Sequence, residues 1–263
     1  MFKFKNQRYK KYMEKQPIKL KAAEIAHKMH GMLKESDNDK ENGWNNLLKG
    51  FLVSDDFVTI VKTLEGLVNN EQRFTPPLRM VFRAFSECPF EKLKVVVVGQ
   101  DPYPQLGVAD GIAFSCGNTR KKEASLRFMH NAIAKTVYDN GDSKDLNPDL
   151  ADWSRQGILM LNTSLTTEVG KIGQHFAIWD PFVKYLIDML NTKSITDKKP
   201  IIWVLLGKKA QELEELLDDS QIILKASHPA SAAYARQNEW NCDDVFNKVN
   251  SKLENLGSTK ILW

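Results

Sequence analysis

Four consecutive valines at residues 95–98 constrain this chain more than any other segment. β-Branched residues favour strands, and a short unbroken apolar run is typical of a strand buried on both faces of a parallel sheet. The run ends at Gly99, and residues 100–104 follow it with the sequence QDPYP. Open α/β sheets bind ligands at the carboxyl ends of their strands. The segment therefore predicts a proline-stiffened turn that presents a carboxylate and a phenol at a ligand-binding edge.

Three further apolar runs repeat this pattern along the chain, with amphipathic stretches between them. The predicted strands are residues 94–99, 157–162, 200–207 and 221–227. The predicted helices are residues 125–138, 181–191, 210–217 and 244–256, with further helices in residues 43–84. Strands that alternate with helices pair in parallel through right-handed crossovers. We therefore expect an α/β fold, a single three-layer domain with a central four-stranded parallel sheet flanked by helices.

The amino-terminal segment differs from this domain in composition. Residues 1–28 contain nine Lys or Arg and two Glu, whereas the net charge of all 263 residues is only +4. Residues 36–42 are polar and acidic, as is typical of a linker. We therefore expect a basic arm and linker over residues 1–42, partly helical or disordered, before a domain at residues 43–263. The arm is either a solubilising segment or a contact for a polyanion such as nucleic acid.

Composition also argues against several classes of protein. The cysteines Cys88, Cys116 and Cys242 are widely spaced and odd in number, which argues against a disulfide framework or a zinc cluster. No apolar run approaches the length of a membrane span, and the first residues lack the apolar stretch of a secretion signal. We therefore expect a cytoplasmic protein, in the nucleoid or host-cell interior, or a nuclear one if it is eukaryotic or viral. Separately, we expect a monomer without metal or other cofactor.

Polar residues follow the carboxyl end of each predicted strand. They are Asp101 and Tyr103 after the first strand, Asn162 after the second, Lys208 after the third and His228 after the fourth. Parallel strands bring these ends to one edge, so we expect one cleft of the kind that holds catalytic sites. Taken alone, Asp101 is typical of a turn, Asn162 of a cap and His228 of a structural histidine. Their convergence favours function.

Short motifs in the same order form the pattern of a known family. They are residues 74–77 (FTPP), 99–103 (GQDPY), 111–115 (GIAFS), 161–163 (LNT), the turn at Gly207, residues 228–229 (HP) and residues 257–263. Over residues 43–263 the chain resembles the family 1 uracil-DNA glycosylases, as a divergent, viral or phage-like member. The resemblance implies a monofunctional hydrolase that flips uracil out of single- or double-stranded DNA and cleaves its N-glycosidic bond in base-excision repair. It also implies a DNA-mimicking inhibitor protein as a candidate partner.

Cleavage of an N-glycosidic bond builds positive charge on the sugar and negative charge on the departing base, so a catalyst should supply opposite charges at those two places. The resemblance assigns the sugar side to Asp101, which would position the attacking water. It assigns the base side to a neutral His228, which would donate a hydrogen bond to uracil O2.

Uracil recognition follows from hydrogen-bond polarity and from shape. The Asn162 amide can donate to uracil O4 and accept from N3–H, a pattern that cytosine does not offer. The resemblance adds Gln100 to the uracil-binding set and implies that Tyr103 excludes the 5-methyl group of thymine. Phe114 either stacks on the base or serves core packing alone.

Candidate DNA contacts lie beside these residues. Phosphate contacts are expected from Ser125, Lys208, Ser227 and Ser231, although Ser125 could equally cap its helix and Lys208 belong to a solvated face. The family has Ser-Pro-Leu after its His-Pro, and the leucine fills the gap that the flipped base leaves. This chain has ASA at residues 230–232, so Tyr234 or Arg236 on the same loop are the candidate replacements.

Two alternatives stay open at the level of sequence. The altered wedge and the basic arm also fit a glycosylase-fold DNA-binding or replication-accessory protein with weak or no catalysis. A related mismatch glycosylase that accepts thymine or a modified uracil is the other alternative, and Tyr103 argues against it.

Overall fold

The computed structural model describes residues 43–139 and 142–263. The helices are α1 (Trp44–Leu52), α2 (Asp55–Asn69), α3 (Arg83–Glu87), α4 (Ala124–Thr136), α5 (Ala151–Arg155), α6 (Phe176–Asp197), α7 (Lys208–Gln211), α8 (Ala230–Tyr234) and α9 (Val245–Asn255). The strands are β1 (Phe74–Thr75), β2 (Val95–Gly99), β3 (Ile158–Asn162), β4 (Thr167–Glu168), β5 (Ile202–Leu206) and β6 (Ile222–Ala226). The predicted basic arm and linker, residues 1–42, lie outside the described residues.

A four-stranded parallel sheet forms the centre of the fold, in the order β3-β2-β5-β6. Every residue of β2 and β5 is buried, because helices cover both faces of these two strands. The register pairs Gly99 with Asn162 and Leu206 with Ala226, so the turns after all four strands open at one edge. The predicted α/β architecture and its four strands are confirmed.

A second, two-stranded antiparallel sheet was not predicted. Strand β1 pairs with β4, with Phe74 opposite Glu168 and Thr75 opposite Thr167. Two residues are too few to show the alternation from which a strand is recognised. This small sheet ties the loop after β3 to the segment before α3.

Three helix predictions need correction. Helix α6 extends well beyond residues 181–191, because Pro181 lies inside it between the buried Trp179 and Phe182 rather than at its start. The predicted helix at 210–217 is the short α7 followed by a 3₁₀ turn at Glu212–Leu216. The segment after His228, predicted as a loop, contains helix α8.

The described part of the chain holds its three cysteines as free, buried thiols. Burial raises the pKa of Cys116 to about 11, which keeps this thiol protonated and inert at neutral pH. Within residues 43–139 and 142–263, no helix has the length and apolar character needed to cross a membrane.

Candidate active site

A cavity of about 330 Å³, here called the edge cavity, opens at the carboxyl edge of the parallel sheet. It lies at the small end of the ~300–1,000 Å³ range of small-molecule sites. The predicted site residues that line it are Gln100, Asp101, Tyr103, Phe114, Ser125, Asn162, His228, Ser231 and Tyr234. Lys208, Ser227 and Arg236 are outside its lining. All the catalytic and base-recognition candidates therefore line one cavity, whereas only some of the DNA-contact candidates line it.

The Asp101 carboxylate is fixed by two hydrogen bonds. The Gly173 N–H donates to Oδ2 at 2.6 Å, and the Gln100 side-chain amide donates to Oδ1 at 3.3 Å. Burial raises the pKa of Asp101, and these hydrogen bonds act against that rise. The turn itself is bound to β3, because the Thr163 hydroxyl donates to the Gln100 carbonyl at 2.6 Å. The carboxylate is thus held in one orientation in a partly desolvated position.

His228 is a neutral imidazole with a defined tautomer. Burial lowers its pKa to about 4, so the ring is uncharged at neutral pH. Its Nδ1 accepts a hydrogen bond from the Ala230 N–H at 3.1 Å, which assigns the ring proton to Nε2. Gly207 has a φ of +90°, and a Cβ there would lie 2.8 Å from the His228 Cβ. The turn before α7 therefore packs directly against the histidine, leaving Nε2–H as its donor.

Gly99 lets an aromatic ring and an amide meet at the end of β2. A Cβ at this position would lie 2.7 Å from Asn162 Oδ1 and 2.8 Å from Phe114 Cζ. Phe114 belongs to the hydrophobic core and also lines the edge cavity, with its ring centroid 5.7 Å from that of His228. Both predicted roles of Phe114 are thus compatible. The sequence showed only that a glycine ends the strand, and it did not predict that a side chain at position 99 would clash.

The buried residue Asp110, absent from the sequence prediction, organises the loop that carries Phe114. Its carboxylate accepts from the Ser115 hydroxyl at 2.6 Å and from the Gly117 N–H at 2.9 Å, and it pairs with Arg83 Nη1 at 2.8 Å. Phe114 has a φ of +65°, an uncommon conformation that needs such support. The Tyr103 hydroxyl donates to the Phe114 carbonyl at 3.2 Å. The loop and the tyrosine ring therefore hold each other in place.

The candidate phosphate-binding serines and lysine differ in their burial and in their contacts. Ser125 is a buried residue in the first turn of α4 rather than in a preceding loop, and the N-cap position belongs to Glu123. Ser231 is exposed at the rim of the edge cavity, and Lys208 is exposed at the start of α7. The Ser227 hydroxyl accepts the indole N–H of Trp240 at 2.9 Å.

Helix α8 carries both the alanine at the leucine position and the candidate wedge residue Tyr234. Ala232 is only 1% exposed, so it packs inward. Tyr234 is 82% exposed and lines the edge cavity, whereas Arg236 lies past the helix end with a φ of +53° and outside the lining. The geometry thus favours Tyr234 over Arg236 as the side chain available at the cavity mouth.

The edge cavity is suited to a planar ring with polar edges. It combines a fixed carboxylate, a neutral imidazole donor, an aromatic ring and a side-chain amide. The carboxylate and the imidazole can stabilise opposite charges at the two ends of a breaking bond. Among the described residues, no group of three or more His, Cys, Asp or Glu side chains is arranged to hold a metal ion.

Comparison with known proteins places the chain in a family. The sequence model of the Uracil DNA glycosylase superfamily matches residues 85–254. The uracil-DNA glycosylase of Fusobacterium nucleatum is 34% identical over 224 residues, which cover 84% of this chain and 95% of that protein. The uracil-DNA glycosylase of Caenorhabditis elegans is 31% identical over 222 residues, covering 84% and 76%.

Solved structures agree in fold. The crystal structure of mimivirus uracil-DNA glycosylase has a TM-score of 0.75 at 24% identity and covers 94% of this chain and 90% of that one. A mimivirus UNG variant in complex with UGI gives 0.76 at 24% identity, with 92% of each chain covered. The matched family model, the curated relatives and the GQDPY turn together establish that this chain belongs to the uracil-DNA glycosylase superfamily, as a member of its family 1.

Proposed function

We propose that this chain is a monofunctional uracil-DNA glycosylase, which hydrolyses the N-glycosidic bond of uracil in DNA and leaves an abasic site for base-excision repair. One observation carries the assignment of the site. A fixed carboxylate, Asp101, and a neutral imidazole donor, His228, line the same cavity as the amide of Asn162. Relatives that carry the name uracil-DNA glycosylase match most of the chain.

In the proposed mechanism, the C1′–N1 bond breaks as positive charge develops on the sugar and negative charge on the base. Asp101 stabilises the sugar cation and orients the water whose oxygen forms the new bond to C1′, and it takes up the water proton. His228 Nε2–H donates to uracil O2, where the negative charge collects. A neutral imidazole can hold this hydrogen bond without transferring its proton, and the low pKa of His228, about 4, supports that role.

Selectivity in this proposal comes from Asn162 and Tyr103, which line the edge cavity together with Phe114 and Gln100. The Asn162 amide pairs with O4 and N3–H of uracil. Bound cytosine would leave the N–H and the C=O of this amide without partners. The Phe114 ring stacks on the base. The Tyr103 ring, held by its hydroxyl against the Phe114 carbonyl, blocks the space that a thymine methyl group would need, and Gln100 completes the uracil-binding set.

The direct test is release of the base from a single-stranded oligonucleotide with one uracil, in the presence of a metal chelator. We expect uracil release that is unchanged by chelation, with no release from matched cytosine or thymine oligonucleotides. Tight DNA binding without base release would instead support the accessory-protein alternative. Release of thymine would support the mismatch-glycosylase alternative.

We further propose that Tyr234 fills the gap left by the flipped base. Its exposure and its place on the edge cavity support this role, and base–aromatic stacking contributes about 1–3 kcal/mol per base. We therefore expect Tyr234→Ala to lower kcat/KM on uracil-containing duplex by about tenfold or more, with a smaller loss on single-stranded DNA, which has no gap to fill. Tyr234→Phe should retain duplex activity.

Arg236→Ala is the matched comparison for this experiment, because Arg236 is the second candidate wedge and lies outside the cavity lining. For Arg236→Ala, the ratio of kcat/KM on duplex DNA to kcat/KM on single-stranded DNA should equal that of the unmodified protein. Equal losses on both substrates for Tyr234→Ala would remove Tyr234 from the wedge role, and a duplex-specific loss for Arg236→Ala would transfer the role to Arg236.

The remaining proposals concern partners and organisation. Ser125, Ser231, Ser227 and Lys208 would contact phosphates around the flipped nucleotide, and the basic residues of 1–42 would add affinity for the DNA polyanion. Residues 43–263 would form the catalytic domain of a monomer.

A DNA-mimicking inhibitor would cover the same cavity mouth; a mimivirus UNG variant is known in complex with UGI. The protein would act where DNA is found, in the cytoplasm or nucleus.

A further inference from the structure

Two large apolar side chains of the described residues are both well exposed and part of the edge cavity. One is Tyr234, and the other is Ile172, which is 56% exposed. Ile195, on α6, is 57% exposed but does not line the edge cavity. A single exposed isoleucine needs no explanation on an ordinary surface. At the mouth of a binding cavity, however, it offers apolar area to whatever enters.

The exposure of Ile172 is imposed by an anchored backbone. On one side of it, the Gly170 N–H donates to the Pro104 carbonyl at 2.9 Å. On the other side, the Gly173 N–H donates to Asp101 Oδ2 at 2.6 Å. Both glycines adopt positive φ angles, +84° and +73°, which allow the chain to turn sharply at these anchors. Because the backbone is already ordered, a contact made by Ile172 costs little additional entropy.

The bond from Gly173 to Asp101 also decides which part of the substrate Ile172 faces. In the proposed function, on which this inference rests, Asp101 acts at the sugar carbon C1′. Ile172 directly precedes the residue that holds this carboxylate. Its side chain therefore lies on the sugar side of the cavity mouth, whereas Tyr234 belongs to the helix that follows His228.

We propose that Ile172 is a substrate-contacting residue that packs against deoxyribose at the cavity mouth. The carbon face of deoxyribose is apolar and common to every nucleotide, so a β-branched aliphatic side chain can bind it in any sequence context. The contact forms with substrate in both the ground state and the transition state. It should therefore lower KM and leave kcat nearly unchanged.

The test compares Ile172→Ala with Ile195→Ala, which removes the same atoms from an equally exposed isoleucine. With a single-stranded uracil oligonucleotide, Ile172→Ala should raise KM about tenfold through lost apolar contact, with kcat within about twofold of the unmodified protein. Ile172→Val should recover most of the loss, and Ile195→Ala should behave as the unmodified protein. Equal KM values for Ile172→Ala and Ile195→Ala would overturn the proposal. If the unmodified protein released no uracil, the proposed function would fail instead.

A second substrate separates contact with sugar from contact with bases. Tetrahydrofuran units on both sides of the deoxyuridine keep the sugar rings and remove the neighbouring bases. The KM ratio between Ile172→Ala and the unmodified protein should persist on this substrate. A KM ratio of one on this substrate would show that Ile172 contacts the neighbouring bases, and it would refute the contact with sugar.

Thermal unfolding provides the structural control. Both alanine variants should unfold at the Tm of the unmodified protein, since exposed side chains contribute little to stability. A fall in Tm confined to Ile172→Ala would give the residue a structural role and also overturn the proposal.

Discussion

Replacing Asp101 by asparagine should lower the turnover number for uracil release by roughly 10³-fold, within the range found when a positioned acid–base group is lost. The amide keeps the size of the side chain and can still accept the Gly173 N–H, but it carries no charge to stabilise the sugar cation or to take up the water proton. Single-turnover release from a single-stranded uracil oligonucleotide measures the effect. Asp188→Asn, on the exposed face of α6, removes a carboxylate that does not line the edge cavity and should have no effect.

The pH dependence of the same reaction gives a second readout for Asp101. Burial raises the pKa of this carboxyl group above its ordinary value, so acidification should protonate it at a higher pH than an exposed aspartate. Burial acts in the opposite direction on His228, whose pKa it lowers to about 4. We therefore expect Asp101 to contribute to the acid limb of the rate profile, at a higher pH than an exposed aspartate would. The residual activity of Asp101→Asn should not fall on acidification in this way. If the variant kept the same acid limb in its pH–rate profile, that limb would belong to another group.

The parallel sheet could be predicted because its strands are short, β-branched and buried. Runs such as residues 95–98 leave few structural alternatives, and parallel pairing then brings the polar residues after each strand to one edge. This topological argument correctly brought Asp101, Asn162 and His228 together. It needed no knowledge of loop conformation, which is why it brought these three residues to one cavity.

What escaped prediction depends on contacts between distant parts of the chain. Asp110 lies in a loop and carries no periodic signal, and its partner Arg83 precedes it in helix α3. The Gly173 N–H that holds Asp101 is a backbone group, so no side chain marks it in the sequence. Helix α8 is a single short stretch after His228 whose inward-facing Ala232 is visible only once the core is formed. Such features are fixed by tertiary packing rather than by local pattern.

The position of Ser125 shows the same limit on a smaller scale. The sequence suggested either a loop residue that binds phosphate or the cap of a helix, and the residue lies instead inside the first turn of α4. Helix ends are set by capping geometry and commonly shift by one or two residues. In this position the hydroxyl is buried at the amino-terminal end of a helix, the end that favours negatively charged groups.

Asn162→Asp should reduce uracil release by roughly 10⁴-fold, because a carboxylate cannot donate to uracil O4 and a recognition site that leaves polar groups unpaired rejects its ligand strongly. The same carboxylate can accept from the exocyclic amine of cytosine, which the Asn162 amide nitrogen cannot. The preference for uracil over cytosine should therefore shrink by orders of magnitude. Release of each base from otherwise identical single-stranded oligonucleotides measures this ratio directly.

Asn255→Asp, at the exposed end of α9, makes the same chemical change away from the edge cavity and should leave both rates unaltered. The Asn162 side chain lies against Gly99 and Phe114 at the strand ends, so a fall in Tm on its substitution has to be measured alongside the rates. A general loss of folding would lower uracil and cytosine release together and preserve their ratio. A changed ratio in a protein that remains folded can only come from altered hydrogen bonding to the base, whereas an unchanged ratio would show that Asn162 does not read the base.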